Sequence, residues 1–463
     1  MNIILIVSDT FRYDNLFDRA AMPVRTPALD RFSQRAVSLS RLYTASFPTI
    51  PHRTDLTTGR FGWVRYPWQD RRLSSPNHLP QILRQAGLVS QLLCDCPHLF
   101  PAGFNFGFDA ALANRGQEVD LPFLRMNHPI TPVMPPEKTR GDHGFQQHNL
   151  VDLSQWENRY WYREQDCFPP RTASLAIEWL EENYRYDPFF LWVDFFDPHE
   201  PWNPPEYLVQ RYDPDYEGTP MLHPNYGKAS DLTPAELRNL RAHYCAEAEL
   251  TDRWVGRVLQ KIDDLDLWRN SIVIFTSDHG TSLGEHNRTG KSNINDRDER
   301  CWPIYPEVAH IPFLIAAPGL VGGHTVDTLQ QPPDILPTLL DLAGLQVSSP
   351  EPLHGRSFAP QLRGEAVPGR DCAIAASFGE MRPGAPARKW TTPVLYTEKW
   401  AYAPIGANGE RELFELERDP YAETNVAGDH PALVRGLHAR FAEWLREVDA
   451  PPAAAQTLEW QNS

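Results

Sequence analysis

The sequence predicts an α/β chain: a doubly wound, mostly parallel sheet with a smaller C-terminal α+β part. Three observations support this. Continuous apolar runs closed by polar residues recur along the chain, as central parallel strands do. Segments with helical periodicity separate them, which is the alternation of a wound sheet. Beyond about residue 369 the texture changes to short strand-like pieces and one amphipathic helix. The expected division is therefore 1–369 and 370–463.

The first run, Asn2 to Val7, ends at Ser8-Asp9-Thr10 and reads as a buried strand. Thr26-Pro27 is a helix start signal, and periodicity follows from Ala28 to Ala36. Leu79 to Ala86 reads as a helix stopped by Gly87, and Val89 to Leu93 as the next strand. Residues 101–170 are rich in Pro, Gly, Asn and aromatics with weak periodicity, so long surface excursions around a pocket are expected there. A helix is predicted from Thr172 to Tyr184 and a strand from Phe189 to Phe196. The strongest helical signal runs from Pro234 to about Ile262. Leu240, Tyr244, Ala248, Thr251, Val255 and Val258 recur there at steps of three and four, on one face. Ser271 to Thr276 and Pro312 to Ala316 read as strands, and Asp334 to Ala343 as a helix stopped by Gly344. In the C-terminal part, Cys372 to Ser377, Val394 to Thr397 and Glu412 to Leu416 read as short strands. Pro431 to Val448 is an amphipathic helix, and the tail from Ala450 carries no pattern.

A chain of 463 residues with 41% hydrophobic residues can bury a large core. Its formal net charge of -16 argues against nucleic acid or an anionic membrane as the main partner. An anionic substrate would need local positive charge from metal ions and a few basic side chains. The six cysteines are scattered and form no spaced ligand set, which suits a reducing compartment. The run after Met1 is too short for a signal core, and no other run spans a bilayer, so a cytoplasmic protein is expected.

In open α/β sheets ligands bind at the carboxyl ends of strands. Two predicted strands end there in Asp9 and in Asp278-His279, and a carboxylate beside an imidazole suits Zn, Mn or similar ions. A third segment runs Thr49-Ile50-Pro51-His52-Arg53-Thr54-Asp55-Leu56-Thr57-Thr58-Gly59. It resembles the signature of the sulfatase family of the alkaline-phosphatase superfamily: Cys or Ser, any residue, Pro, usually Ser, then Arg, with Leu, Thr and Gly at fixed spacing. Pro51, Arg53, Leu56, Thr58 and Gly59 match; Thr49 and His52 depart. Further segments are similar to the family's motifs in order. They are Asp9 to Asp14, Thr26 to Asp30, Phe196 to Trp202, Ser277 to Gly280, Leu283 to His286, Gly290-Lys291, and Glu412 to Leu416 with Asp419-Pro420.

The resemblance implies an alkaline-phosphatase-like fold and a hydrolase with a divalent metal ion (Mn, Zn, Ca or Mg), one site favoured over two. Asp9, Asp278 and His279, with Thr49 and Thr10, are the implied metal set. Thr49 is the implied nucleophile, and Arg53 the residue that holds it and the substrate oxygens. His199 is the expected donor or general acid, Lys291 neutralises charge, and His98 stands near where many relatives place a substrate-gripping lysine. Sulfatases use a formylglycine made from Cys or Ser, which Thr49 is not expected to yield. Thr49 and Thr10 instead resemble the pattern of phosphonate monoester hydrolases and phosphodiesterases. The expected function is therefore hydrolysis of a phosphodiester or phosphonate monoester through a phosphoryl-enzyme. The alternatives are a sulfatase acting without formylglycine and an inactive, sulfatase-like binding protein. The expected partner is a small anionic ester; a homo-oligomer is left open. Trp156, Trp161 and Trp202 are candidates for stacking on an apolar or sugar group.

Overall fold

In the computed structural model, the described residues run to 455, except 18, 67–76, 119, 140–147, 295–296, 347–350 and 378–390. Eight strands form the main sheet: β1 (Asn2–Ser8), β2 (Val37–Leu39), β3 (Val89–Cys94), β4 (Ala110–Ala113), β5 (Phe189–Phe195), β6 (Ser271–Ser277), β7 (Phe313–Ala316) and β8 (His324–Val326). Their spatial order is β8-β2-β7-β6-β1-β5-β3-β4. All pairings are parallel except those of β7, which runs against both β6 and β2. This is the mostly parallel α/β sheet that the apolar runs predict.

The helices that matter here are α1 (Pro27–Ser33), α2 (Thr49–Thr58), α3 (Leu79–Gln85), α4 (Leu150–Asn158), α5 (Phe168–Asn183), α6 (Pro234–Asp264), α7 (Ile335–Leu342) and α8 (Pro431–Glu447). β1 is buried along its whole length, and its alternating side chains feed two cores. Ile4 and Ile6 pack with α5 and α6 on one face; Ile3, Leu5 and Val7 pack with α2, α3 and α7 on the other. Each face adds its own burial of apolar surface, about 25 cal/mol per Å².

The longest helix, α6, starts with a capping box. Thr233 Oγ1 accepts from the Glu236 amide at 3.3 Å, and the Glu236 carboxylate accepts from the Thr233 amide at 2.9 Å. Farther along, Asp252 of α6 caps α1 by accepting from the Ala28 and Leu29 amides at 3.0 and 2.8 Å.

Strands β9 (Ala373–Ala375), β10 (Val394–Tyr396), β11 (Trp400–Ala403) and β12 (Glu412–Glu415) form an antiparallel sheet in that order. Helix α8 packs on it, and Trp444 of α8 stacks on Trp63 with centroids 5.7 Å apart. Ala45, Phe61, Trp63 and Val64 thus share a core with residues beyond 369.

Two expectations need correction. Residues 101–170 are not all excursion: they include edge strand β4, helix α4 and the start of α5, which begins at Phe168 rather than Thr172. Alternation in Ala110–Ala113 is hidden because small residues carry little contrast. The tail after Ala450 opens with a short helical turn, Pro452–Ala455; residues 456–463 lie outside the described residues. No described helix is long and apolar enough to cross a membrane.

Candidate active site

Register fixes the site. Ser8 of β1 lies level with Ser277 of β6 and with Phe195 of β5. Asp9 and Asp278 each follow one residue later, so both carboxylates meet at the carboxyl edge of the central strands. His279 completes a fully buried group whose ligand atoms all lie within 4.8 Å of one another.

The proton on His279 is fixed by its neighbour. Nδ1 lies 2.9 Å from the Gly280 carbonyl, so it carries the hydrogen, and Nε2 is left with a lone pair. That Nε2 stands 3.9 Å from Asp9 Oδ1 and 3.7 Å from Asp278 Oδ2. Ligands about 2 Å from one ion stand roughly 3–4 Å apart. Both His279 Nε2 and Asp9 Oδ2 are buried and make no hydrogen bond, an arrangement that a cation would satisfy. Electrostatics agree. Burial, then the adjacent Asp278, pushes the Asp9 carboxyl well up; burial also works against Asp278, but His279 and Arg53 hold it well below the usual range. Burial lowers His279 to about 4, so the ring is a neutral ligand.

Thr49 is the first residue of α2, whose ten residues are all buried. Asp55 ties the approach to this helix down, accepting from the Ser46 amide and hydroxyl, both at 2.8 Å, and from Gly62 at 2.6 Å. Gly59 ends the helix at φ 66°, and a Cβ there would lie 2.9 Å from Leu353.

Arg53 connects the two parts of the site. Its Nη1 donates to the Thr49 carbonyl at 3.1 Å and to Asp278 Oδ2 at 2.7 Å, and lies 3.3 Å from Asp9 Oδ2. Its Nε and Nη2 grip Asp194 at 2.9 and 2.7 Å. The fork expected to meet substrate oxygens is thus engaged by three carboxylates and its own helix.

Thr10 holds the first turn. It sits at φ 59°, a region that β-branched residues rarely adopt. Its amide donates to Asp278 at 3.0 Å and its hydroxyl to Asp9 at 2.8 Å. Lys291 Nζ lies 3.3 Å from the Thr10 hydroxyl and 3.6 Å from Glu200 Oε1. His199 Nδ1 hydrogen-bonds the Glu200 carbonyl at 2.7 Å, its ring stacks on Phe196, and burial lowers it to about 3. His98 Nε2 pairs with Glu118 at 2.9 Å.

Among the tryptophans, Trp202 is fully buried and donates to the Pro198 carbonyl at 2.7 Å, and Trp156 is buried with its indole on the His128 carbonyl. Neither offers a face for stacking; Trp161 packs edge-on against Phe168. His286 stacks on Tyr305, and His310 stacks with Tyr13 and Tyr43; both serve packing.

Sequence reasoning missed Asp194, Glu200 and Tyr226. Asp194 had a signal, since one carboxylate interrupts the apolar run Phe189–Phe195. Glu200 beside His199 had a weaker one. Tyr226, whose hydroxyl donates to Glu200, had none.

A mostly parallel α/β sheet with, at its carboxyl edge, a buried acidic group that could hold a metal ion is an alkaline-phosphatase-like fold. The chain belongs to the sulfatase family, whose profile matches residues 1–345. It is 26% identical to an arylsulfatase of Clostridium perfringens over 92% of this chain and 90% of that protein. It is 25% identical to arylsulfatase K of Mus musculus over 100% of this chain and 81% of that protein. Its fold is similar to the crystal structure of the phosphonate monoester hydrolase of Agrobacterium radiobacter, with a TM-score of 0.71, 24% identity, and coverage of 97% and 95% of the two chains.

Proposed function

We propose that this sulfatase-family ester hydrolase uses the Thr49 hydroxyl as its attacking group, beside a divalent cation held by Asp9, Asp278 and His279. The carrying observation is two buried ligand atoms without a hydrogen bond, Asp9 Oδ2 and His279 Nε2, the first of them 3.3 Å from the Arg53 nitrogen that also binds the carbonyl of the first residue of α2. A bound divalent cation supplies an acidified hydroxyl and a polarised ester oxygen. The first turn of α2 favours negative charge at Thr49, because its amides lack intrahelical acceptors. Arg53 fixes Thr49 relative to both carboxylates. Lys291 brings positive charge beside Thr10 and Asp9. With its Nδ1 hydrogen donated to the Glu200 backbone carbonyl and its basicity lowered by burial, His199 presents Nε2 as a hydrogen-bond acceptor, rather than as the donor or general acid expected from the sequence.

A sulfate ester is the first reading of the substrate, supported by the family and by the arylsulfatase relatives. Thr49 itself favours a second: a phosphodiester or phosphonate monoester. Its secondary alcohol cannot become the aldehyde whose hydrate releases sulfate by elimination, whereas water can cleave a phosphoryl-threonine at phosphorus.

A panel of aryl sulfates and aryl phosphodiesters at equal concentration separates the readings. Thr49→Ala is expected to lower kcat by roughly 10³-fold or more while metal content, measured by elemental analysis, stays at the parent level. Undiminished turnover in that variant would overturn the proposal.

A further inference from the structure

Each cation that the described residues bring to this site meets a carboxylate. Arg53 is matched by Asp194, and Lys291 by Glu200. Asp9 and Asp278 would offset a divalent ion, and His199 gives its Nδ1 hydrogen to the Glu200 backbone carbonyl and adds no charge. With that ion counted the carboxylates cancel the cations, so any further fixed negative charge beside the substrate weighs twice as heavily on a dianion as on a monoanion.

Glu200 is the part of this balance that the ligand set does not require. It is fully buried, and Tyr226, also fully buried, donates to its Oε1. Lys291 approaches the same oxygen at 3.6 Å. Oε2 makes no hydrogen bond and lies 3.7 Å from His199 Nδ1. A carboxylate with one oxygen held by a phenol and an ammonium, and the other beside an imidazole, remains charged: burial works to raise it, but His199 and Lys291 hold it down at about 2. It therefore stands as a fixed negative charge between the two side chains expected to meet substrate, where little water screens it.

We propose that Glu200, held by Tyr226 against Lys291, restricts this site to esters bearing a single negative charge and rejects dianionic phosphate monoesters. Sulfate monoesters and phosphodiesters both carry one charge, so Glu200 admits either while excluding a phosphate monoester, which is largely dianionic above its second pKa near 6. The inference deepens the reading of the site as an ester-binding centre and rests on it.

The test is binding, so it does not depend on turnover. In metal-loaded Thr49→Ala protein, calorimetry at pH 8.5 compares phenylphosphonate, a dianion, with its monomethyl ester, a monoanion of nearly the same shape. The monoester is expected to bind at least tenfold more tightly. Adding Glu200→Gln should shift the ratio toward the dianion by about tenfold, a change that a purely structural role would not produce, since that would weaken both ligands alike. Adding Lys291→Met instead should shift the ratio the other way, and this variant keeps the idea testable should Glu200→Gln fail to fold. An unchanged ratio in both variants overturns the role of Glu200 but leaves the ester site standing; binding of neither ligand overturns both.

Discussion

At Asp194 a single buried carboxylate decides how Arg53 is used. Two parallel hydrogen bonds hold the guanidinium plane, so the remaining nitrogen can reach Thr49, Asp9 and Asp278 together. Asp194→Asn keeps the shape but removes the charge and one acceptor. Arg53 then loses its fixed plane, and Thr49, the proposed attacking residue, and the carboxylates proposed to hold the metal lose their common reference. The expected result is a fall of roughly 10–100-fold in kcat and in metal affinity, as for other residues that orient ligands. Kinetics and metal titration on the same preparation check it; loss of activity with unaltered metal affinity would assign Asp194 to Thr49 alone. The histidines show the same logic. His279 and His199 each give their Nδ1 hydrogen to a nearby backbone carbonyl, and each thereby presents a lone pair at Nε2.

Among the elements, α2 carries the most risk. Every residue of it is buried, four of its ten are threonines, and a proline sits in its first turn. Thr54, Thr57 and Thr58 return their hydroxyls to carbonyls three or four residues back, which satisfies them in an apolar setting. The helix is placed by its ends, by Asp55 on the loops around it and by Gly59 at its stop. Gly59→Ala would force an L residue to φ 66° and bring Cβ to 2.9 Å from Leu353. A loss of about 1–2 kcal/mol is expected, read as a lower urea midpoint. Because α2 also carries Thr49, the variant should lose activity beyond what its unfolded fraction explains. The motif was legible because these residue types recur at fixed spacing. That it forms a wholly buried helix was not, since its apolar residues show no helical stripe.

Across the whole molecule, several buried carboxyls have no cation beside them among the described residues. Glu247 of α6 is one: burial pushes it up to about 8, and its Oε2 makes no hydrogen bond. The folded chain therefore retains a proton that the unfolded chain releases above about pH 4. The stability tied to this group is complete below that value and is lost as pH rises toward 8. Glu247→Gln abolishes the titration, so its stability relative to the parent should improve with pH between 5 and 8, by on the order of 1 kcal/mol per unit. Urea midpoints of both proteins at pH 5, 6.5 and 8 measure this. A difference that stays flat across the range would refute the assignment.

The sequence by itself determined the alternation of strands and helices and the residues that end strands. A buried parallel strand must be continuously apolar, and the residues just past its carboxyl end must meet solvent or ligand. The grouping of Asp9, Asp278 and His279 was legible for that reason, and the segment that carries Thr49 and Arg53 stood out through its spacing. Only the tertiary structure decided which charges face each other. Arg53 and Asp194 are 141 residues apart, and Glu200 meets Lys291 and Tyr226 from separate loops. Sheet order and register set those encounters, and neither is written in the local pattern, because a strand's apolar period is the same whichever neighbour it pairs with.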